Sequence, residues 1–308
     1  MGSCRVYSRT TMQRIGEIAA FGTAICWTAS AIFFERATKR IGVLAVNFYK
    51  VVFAFGLLAL VGGIFRGMPL PFDAPREAWI YLSLSGLIGF VISDIFLFTA
   101  YKTIGSRITL LFLALSPPVT AALGFLFLGE DIGRRGLAGM MLVVIGITVA
   151  VLGRRDAKSV GKMSREDRRG YLFAFLASVG QSVGMIFTKK GIGSYDPISG
   201  TQIRVMVAIV GFGIASLVFE KGRNLKVALK DVEGLKPTFY GAVFGPFLGV
   251  ALSLFAAQRT QAGIVSTLIG LSPIMIIIPA IFIFKQKVKP LEIAGAVLAV
   301  AGSAVFFM

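Results

Sequence analysis

The sequence predicts an all-α integral membrane protein: ten transmembrane helices arranged as two inverted five-helix repeats. Three observations lead there. Of the 308 residues, 56% are hydrophobic and only 15% charged, with a mean hydropathy of +0.81; an ordinary soluble domain carries about 25% charged residues. The apolar residues arrive in blocks of the length needed to cross a bilayer, about 20 residues of helix. The two halves of the chain also repeat one another.

The blocks, bounded by charge or by Pro and Gly, lie near 15–34, 42–64, 78–100, 103–128, 136–153, 171–188, 197–219, 237–257, 262–284 and 290–308. Each is apolar on all sides, as a lipid-embedded helix should be. A polar, basic leader (1–14) precedes them. It has no small-residue cleavage site, and the block after it is too long for a signal-peptide core. The longest polar stretch, 154–169, divides the chain into 15–153 and 170–308.

The halves align. Adding 154 maps Gly16 on Gly170, Ala20 on Ala174, Ile32-Phe33 on Ile186-Phe187 and Lys50 on Arg204. After a two-residue slip, adding 156 maps Gly89 on Gly245, Leu115-Ser116-Pro117 on Leu271-Ser272-Pro273, Gly139 on Gly295 and Gly146 on Gly302. Five spans per half is an odd number, so the second half enters the membrane from the opposite side. Inverted repeats of this kind are a signature of secondary transporters with a site near the midplane.

Composition removes several chemistries. There are no histidines, hence no His-based acid–base catalysis, Ser-His-Asp triad or HExxH site. Cys4 and Cys26 suggest neither a disulfide framework nor a zinc site. No phosphate-binding G-x-x-x-x-G-K-[ST] occurs. The net charge of +17 lies mostly between the apolar blocks, where Lys and Arg set topology and meet anionic headgroups, so nucleic acid is not an expected partner. Twenty loop cations on the side of 154–169 against ten on the other place that linker in the cytoplasm and both termini outside.

The stretch Ala100 to Gly146 resembles the hallmark of EamA-type modules of the drug/metabolite transporter superfamily. It has an Ala-x-x-x-x-small entry, a mid-helix Pro, a Gly129-Glu130 exit and a Gly-containing last helix. Ala257 to Phe307 resembles a second copy, with Lys285-Gln286-Lys287 in place of Gly129-Glu130-Asp131. The resemblance implies a multi-pass transporter of the cell (inner or plasma) membrane, exporting amino acids or similar small metabolites, with no cofactor. It also leaves open a nucleotide-sugar or sugar-phosphate exchanger. From a different class, an intramembrane lipid-modifying enzyme would need a carboxylate or histidine cluster and a sizeable loop.

Charges inside the spans single out the candidate site. Lys50 lies roughly 12 Å into its helix at about 1.5 Å per residue, a depth at which a cation costs about 2.5–3.5 kcal/mol. Arg204 is about as deep from the other face. Asp94, read as the only carboxylate well inside a span, is at a depth that lets it pair with Lys50; its repeat mate is Val250. Two cations against one anion imply that the missing negative charge is the substrate's, a carboxylate or phosphate. Asp94 as a proton-coupling group is the other reading, so proton or counter-solute coupling both stay open. Asn47, one turn before Lys50, and Gln202, near Arg204, are polar candidates or interhelical hydrogen bonds. Trp27 and its mate Gln181 either flank a substrate or fill a helix interface. Ser116-Pro117 and Ser272-Pro273 break spans four and nine symmetrically and point to a cavity or hinge. Gly241-Gly245-Gly249 suits close helix packing. Glu35, Arg36, Lys189 and Lys190, at span ends, are expected to be solvated.

Overall fold

A computed structural model of the protein describes residues 2–128, 133–154, 164–193, 195–257, 259 and 268–307. Gly129, Glu130 and most of the linker lie outside the described residues, which are helical with no strand. The helices are α1 (Gly2–Ile41), α2 (Val43–Arg66), α3 (Arg76–Thr103), α4 (Ser106–Phe127), α5 (Arg134–Arg154), α6 (Arg165–Ile192) and α7 (Pro197–Glu220). A short α8 (Arg223–Lys230) leads to α9 (232–257), α10 (Ser272–Phe282) and α11 (Pro290–Phe307). Seven of them, α1 to α7, are long and apolar enough to cross a membrane, and α10 and α11 are shorter apolar helices. Large apolar side chains such as Phe65, Leu126, Phe219 and Phe282 face outward, where lipid would meet them. This is a multi-pass membrane protein.

Local chemistry sets the boundaries. α1 starts at Gly2, so the stretch expected as a separate polar leader is the first part of a continuous helix. Gly42 and Gly105, with φ of 86° and 84°, take a left-handed backbone that residues with a Cβ avoid; each ends one rod and begins the next. α6 starts at Ser164, whose Oγ accepts from the Asp167 amide at 3.0 Å. α7 starts at Asp196, which caps Ser199 N at 2.9 Å with Pro197 in the first turn, the ordinary signature of a helix N-terminus.

Helices pack across the two halves. α1 lies along α9, and α6 lies along α3, α2 against α7 and α5 against α11. Adding five spans converts the first pairing into the second and returns the last two to themselves. Glycine contacts give the relation atomic detail. A methyl group on Gly146 would stand 2.7 Å from the Gly295 carbonyl oxygen, and one on Gly302 2.9 Å from that of Gly139. The offset of 156 exchanges these two contacts, and α5 and α11 run antiparallel. In lipid, where apolar burial does not drive helices together, such close approach supplies the packing. Gly241, Gly245 and Gly249 seat Phe34, Ser30 and Trp27 of α1 on α9.

Two further features are symmetric. α3 and α9 each widen to π-helical geometry, over Gly86–Ile92 and Val243–Gly249, and such stretches often accompany functional sites. The Ser-Pro breaks are real interruptions. α4 stops at Leu113 and restarts at Ser116, and α10 begins at Ser272 with Pro273 in its first turn. Each proline therefore sits where its missing amide costs no helical hydrogen bond. The Ile269 carbonyl accepts from Ser272 Oγ at 2.8 Å.

Candidate functional site

The centre of the bundle is built from α2, α3 and α7. Lys50 reaches from α2 to Asp94, just after the π-helical stretch of α3, with Nζ 2.6 Å from Oδ2 and side-chain exposures of 6% and 10%. Asn47, one turn earlier, accepts from Lys50 Nζ at 2.8 Å and donates to the Val43 and Asp94 carbonyls at 3.0 and 3.5 Å. Lys50 Nζ also lies 4.2 Å from the centre of the Phe98 ring, with Phe34 and Phe212 at 5.7 and 5.9 Å. A desolvated ammonium gains about 2 kcal/mol or more from such faces.

Arg204, on α7, has no comparable partner. Its guanidinium stacks 4.2 Å from the Phe90 ring, while Nε is buried with no hydrogen-bond partner among the described residues. No carboxylate among them lies within ion-pair distance; Asp94 acts on it only at longer range. Glycine allows the approach. The Arg204 backbone lies against Gly86, where a methyl group would stand 2.7 Å from the Arg204 carbonyl oxygen, and a guanidinium nitrogen passes 3.6 Å from the equivalent point on Gly89. The structure thus joins Lys50, Asp94 and Asn47, with Arg204 nearby and facing inward.

The remaining candidates scatter. Gln202 turns to the membrane end, donating to the Pro69 carbonyl at 2.7 Å, where Arg66, Asp73, Asp196, Tyr195 and Ser199 form a polar cluster. The Asp73 carboxyl there sits below the usual range: partial burial raises it, but bonds from Tyr195 and Arg66 outweigh that. Trp27 lies over Gly249 and is 38% exposed, which favours the interface reading. Gln181, its mate, is half-buried. Ser116 Oγ donates to the Ser178 carbonyl at 3.3 Å, and Ser272 Oγ to that of Ala24 at 3.4 Å. The two acceptors are themselves 154 residues apart, so both Ser-Pro breaks are tied to equivalent points of α6 and α1. Beside Pro273 is a void of about 10 Å³, room for about one water and not for a solute.

Two expectations are corrected. Glu35 is not solvated: it has no exposed surface, its Oε2 accepts from Ser106 N at 2.6 Å, and its Oε1 lies 2.5 Å from Lys39 Nζ. Nor is Asp94 the only buried carboxylate. Glu292, near the start of α11, is 5% exposed and pairs with Arg107 at 3.0 Å. Arg36 faces outward over Phe284, and Lys190 is exposed. The Lys189 side chain lies outside the description.

Comparison with known proteins gives one family. A model described as the EamA-like transporter family matches residues 14–152 and 168–308. A probable amino-acid metabolite efflux pump of Salmonella typhimurium is 26% identical over 59% of this chain and 61% of its own length. A chloroplastic WAT1-related protein of Arabidopsis thaliana is 22% identical over 89% of this chain and 67% of its own. An uncharacterized transporter of Archaeoglobus fulgidus is 20% identical over 88% and 90%. The match thus spans about three fifths of the efflux-pump relative. A crystal structure of a protein superposes with a TM-score of 0.61 at 16% identity, covering 94% of this chain and 95% of that one, which shows a shared fold.

Proposed function

The chain belongs to the EamA-like transporter family, and on that premise we propose that it is a secondary transporter, an exporter of small organic metabolites such as amino acids. The reading has ten spans in two inverted halves, α9, α10 and α11 supplying the last three. It works by alternating access to one central site, without covalent chemistry, in the cell membrane. The antiparallel glycine seam between α5 and α11, with contacts that exchange under the repeat offset, supports the inverted arrangement.

The observation that carries the substrate reading is the contrast between mates. Lys50 is neutralised by Asp94 at 2.6 Å, whereas Arg204 has no counter-ion at that range among the described residues and lies over the Phe90 ring. A guanidinium is a planar fork that takes a carboxylate or phosphate through two parallel hydrogen bonds. Arg204 therefore binds the anionic group of an anionic or zwitterionic solute, and Asp94, released by Lys50, is the acceptor for a substrate ammonium. The Ser116-Pro117 and Ser272-Pro273 breaks serve as hinges.

Vesicles reconstituted with the purified protein and loaded with labelled solutes test this. Arg204→Gln is expected to lose flux of carboxylate-bearing solutes, Arg204→Lys to keep part of it, and Arg204→Glu to reverse the charge preference. Unchanged selectivity for anions in Arg204→Glu removes the reading. Solutes to load are found by thermal shift, because a ligand that binds only the folded protein raises its apparent stability.

A further inference from the structure

The repeat makes the two ends of the bundle comparable residue by residue, and they are not equivalent. Call the end where α1 and α3 finish and α2 and α4 begin the Gly105 end. Moving from Lys50 toward it, the first layer is aromatic. The Phe34 and Phe98 rings lie 4.9 Å apart, Phe98 and Tyr101 5.4 Å apart, and all three are buried. Beside it, Glu35, which follows Phe34 on α1, accepts from the Ser106 amide, the first residue of α4. Gly105, with a φ of 84°, makes the turn that sets the Ser106 amide against Glu35. α1 packs with α9, whereas the first part of α4 packs on α6 and α3. The bond therefore ties α1 to the start of α4, beside the core that Phe34 of α1 shares with Phe98 and Tyr101 of α3.

The same positions in the second repeat lack the chemistry. Phe34 and Glu35 map on Thr188 and Lys189, Phe98 and Tyr101 on Leu254 and Ala257, and Ser106 on Ala262. Three rings become a hydroxyl, an aliphatic chain and a methyl, and the acceptor carboxylate becomes an ammonium, which accepts nothing.

We propose that Glu35 is a gate residue: its bond to Ser106 N latches the aromatic layer shut, so that without ligand the protein rests closed at the Gly105 end. This rests on the transport reading above. A carboxylate on a backbone amide is a strong, charge-assisted bond, and a buried one resists water until the helices part. Opening this end then requires Ser106 to leave Glu35, and the step is specific to one direction of the cycle.

The test uses two reporter cysteines at mated positions, Leu97→Cys and Ser253→Cys, in a Cys4→Ser/Cys26→Ser background, labelled with a membrane-impermeant maleimide in nanodiscs. The latched protein is expected to label at 253 at least tenfold faster than at 97. Two variants break the latch from opposite partners. Glu35→Ala removes the acceptor, and Ser106→Pro removes the donor at a helix position where proline is tolerated. Each is expected to raise labelling at 97 about tenfold and lower it at 253, and the double variant to add nothing further. Glu35→Gln, which keeps an acceptor oxygen and the side-chain shape but loses the charge, is expected to label at 97 at a rate between those of the unmodified protein and Glu35→Ala. Unchanged rates at 97 in both Glu35→Ala and Ser106→Pro, or additive effects in the double variant, overturn the gate. Reciprocal labelling with no solute flux upholds the gate and removes the transport reading instead.

Discussion

Lys50 and Asp94 form an ion pair in the middle of the bundle, 2.6 Å from Nζ to Oδ2, with almost no surface exposed on either side chain. The first repeat thus carries its own counter-ion, and the second, with Val250 in place of Asp94, does not. A buried pair is weak evidence for stability but strong evidence of mutual dependence, since removing one partner strands the other.

Asp94→Asn and Lys50→Met are therefore each expected to destabilise the protein by about 3–5 kcal/mol. The double variant Lys50→Met/Asp94→Leu is expected to recover most of that loss, while solute flux stays abolished. Unfolding in detergent with flux in vesicles measures both. Additive losses in the double variant would mean that the two residues act separately.

Phe90 holds the Arg204 guanidinium through its ring face, 4.2 Å away. Stacking of this kind is worth about 0.5–2 kcal/mol. Phe90→Leu is thus expected to raise the KM for an anionic solute about two- to thirtyfold, by the usual tenfold per 1.4 kcal/mol, with maximal flux little changed. Concentration series in vesicles check this, and an unaltered KM removes Phe90 from the site.

The crossing of α5 and α11 leaves no room for side chains at Gly146 and Gly295, where a methyl group would stand 2.7 and 2.6 Å from the opposite carbonyl oxygen. Overpacking costs typically about 1–3 kcal/mol. Gly146→Val and Gly295→Val are expected to lose stability in similar measure, because they break one contact from its two sides. Thermal unfolding decides it: a large effect of one and none of the other contradicts this close crossing.

At the Gly105 end, hydrogen bonds from Arg40 to Asp231, at 2.8 and 2.9 Å, hold that carboxyl below its usual range. A depressed carboxylate contributes stability above its unfolded value, near 3.9, and loses it as pH falls through the folded value. Between pH 7 and pH 5 the contribution of Asp231 is expected to be flat, and below about pH 4 to fade. Asp231→Asn should flatten the acid limb of a melting-temperature profile and lower the plateau. An identical acid limb in that variant assigns the loss to other carboxylates.

Much of this was legible in the sequence because the bilayer imposes it. Spans must be long and apolar, and a Lys50 or Arg204 deep in a span has no route to water, so length and charge located these buried cations and the pairing of Lys50 with Asp94. Glu35 was not legible. Its position at a span end is compatible with water, and its burial depends on how α4 begins, after a Gly105 turn that brings Ser106 N onto it. The one trace in the sequence is its reversal to Lys189 in the second repeat. Glu292 escaped for the same reason: it and its partner Arg107 both stand near the starts of their spans, positions compatible with water. Gln202 looked central by proximity to Arg204, yet two residues along a helix differ by about 200°, and that turn carries its amide to Pro69.

The glycine seam has a consequence for how such a chain is put together. Because Gly139 meets Gly302 while Gly146 meets Gly295, a single five-helix unit already carries both edges needed to close on an upside-down copy of itself. Joining two units in one chain tethers them and leaves mated positions free to differ, as Lys50 with Asp94 differs from Arg204 with Val250.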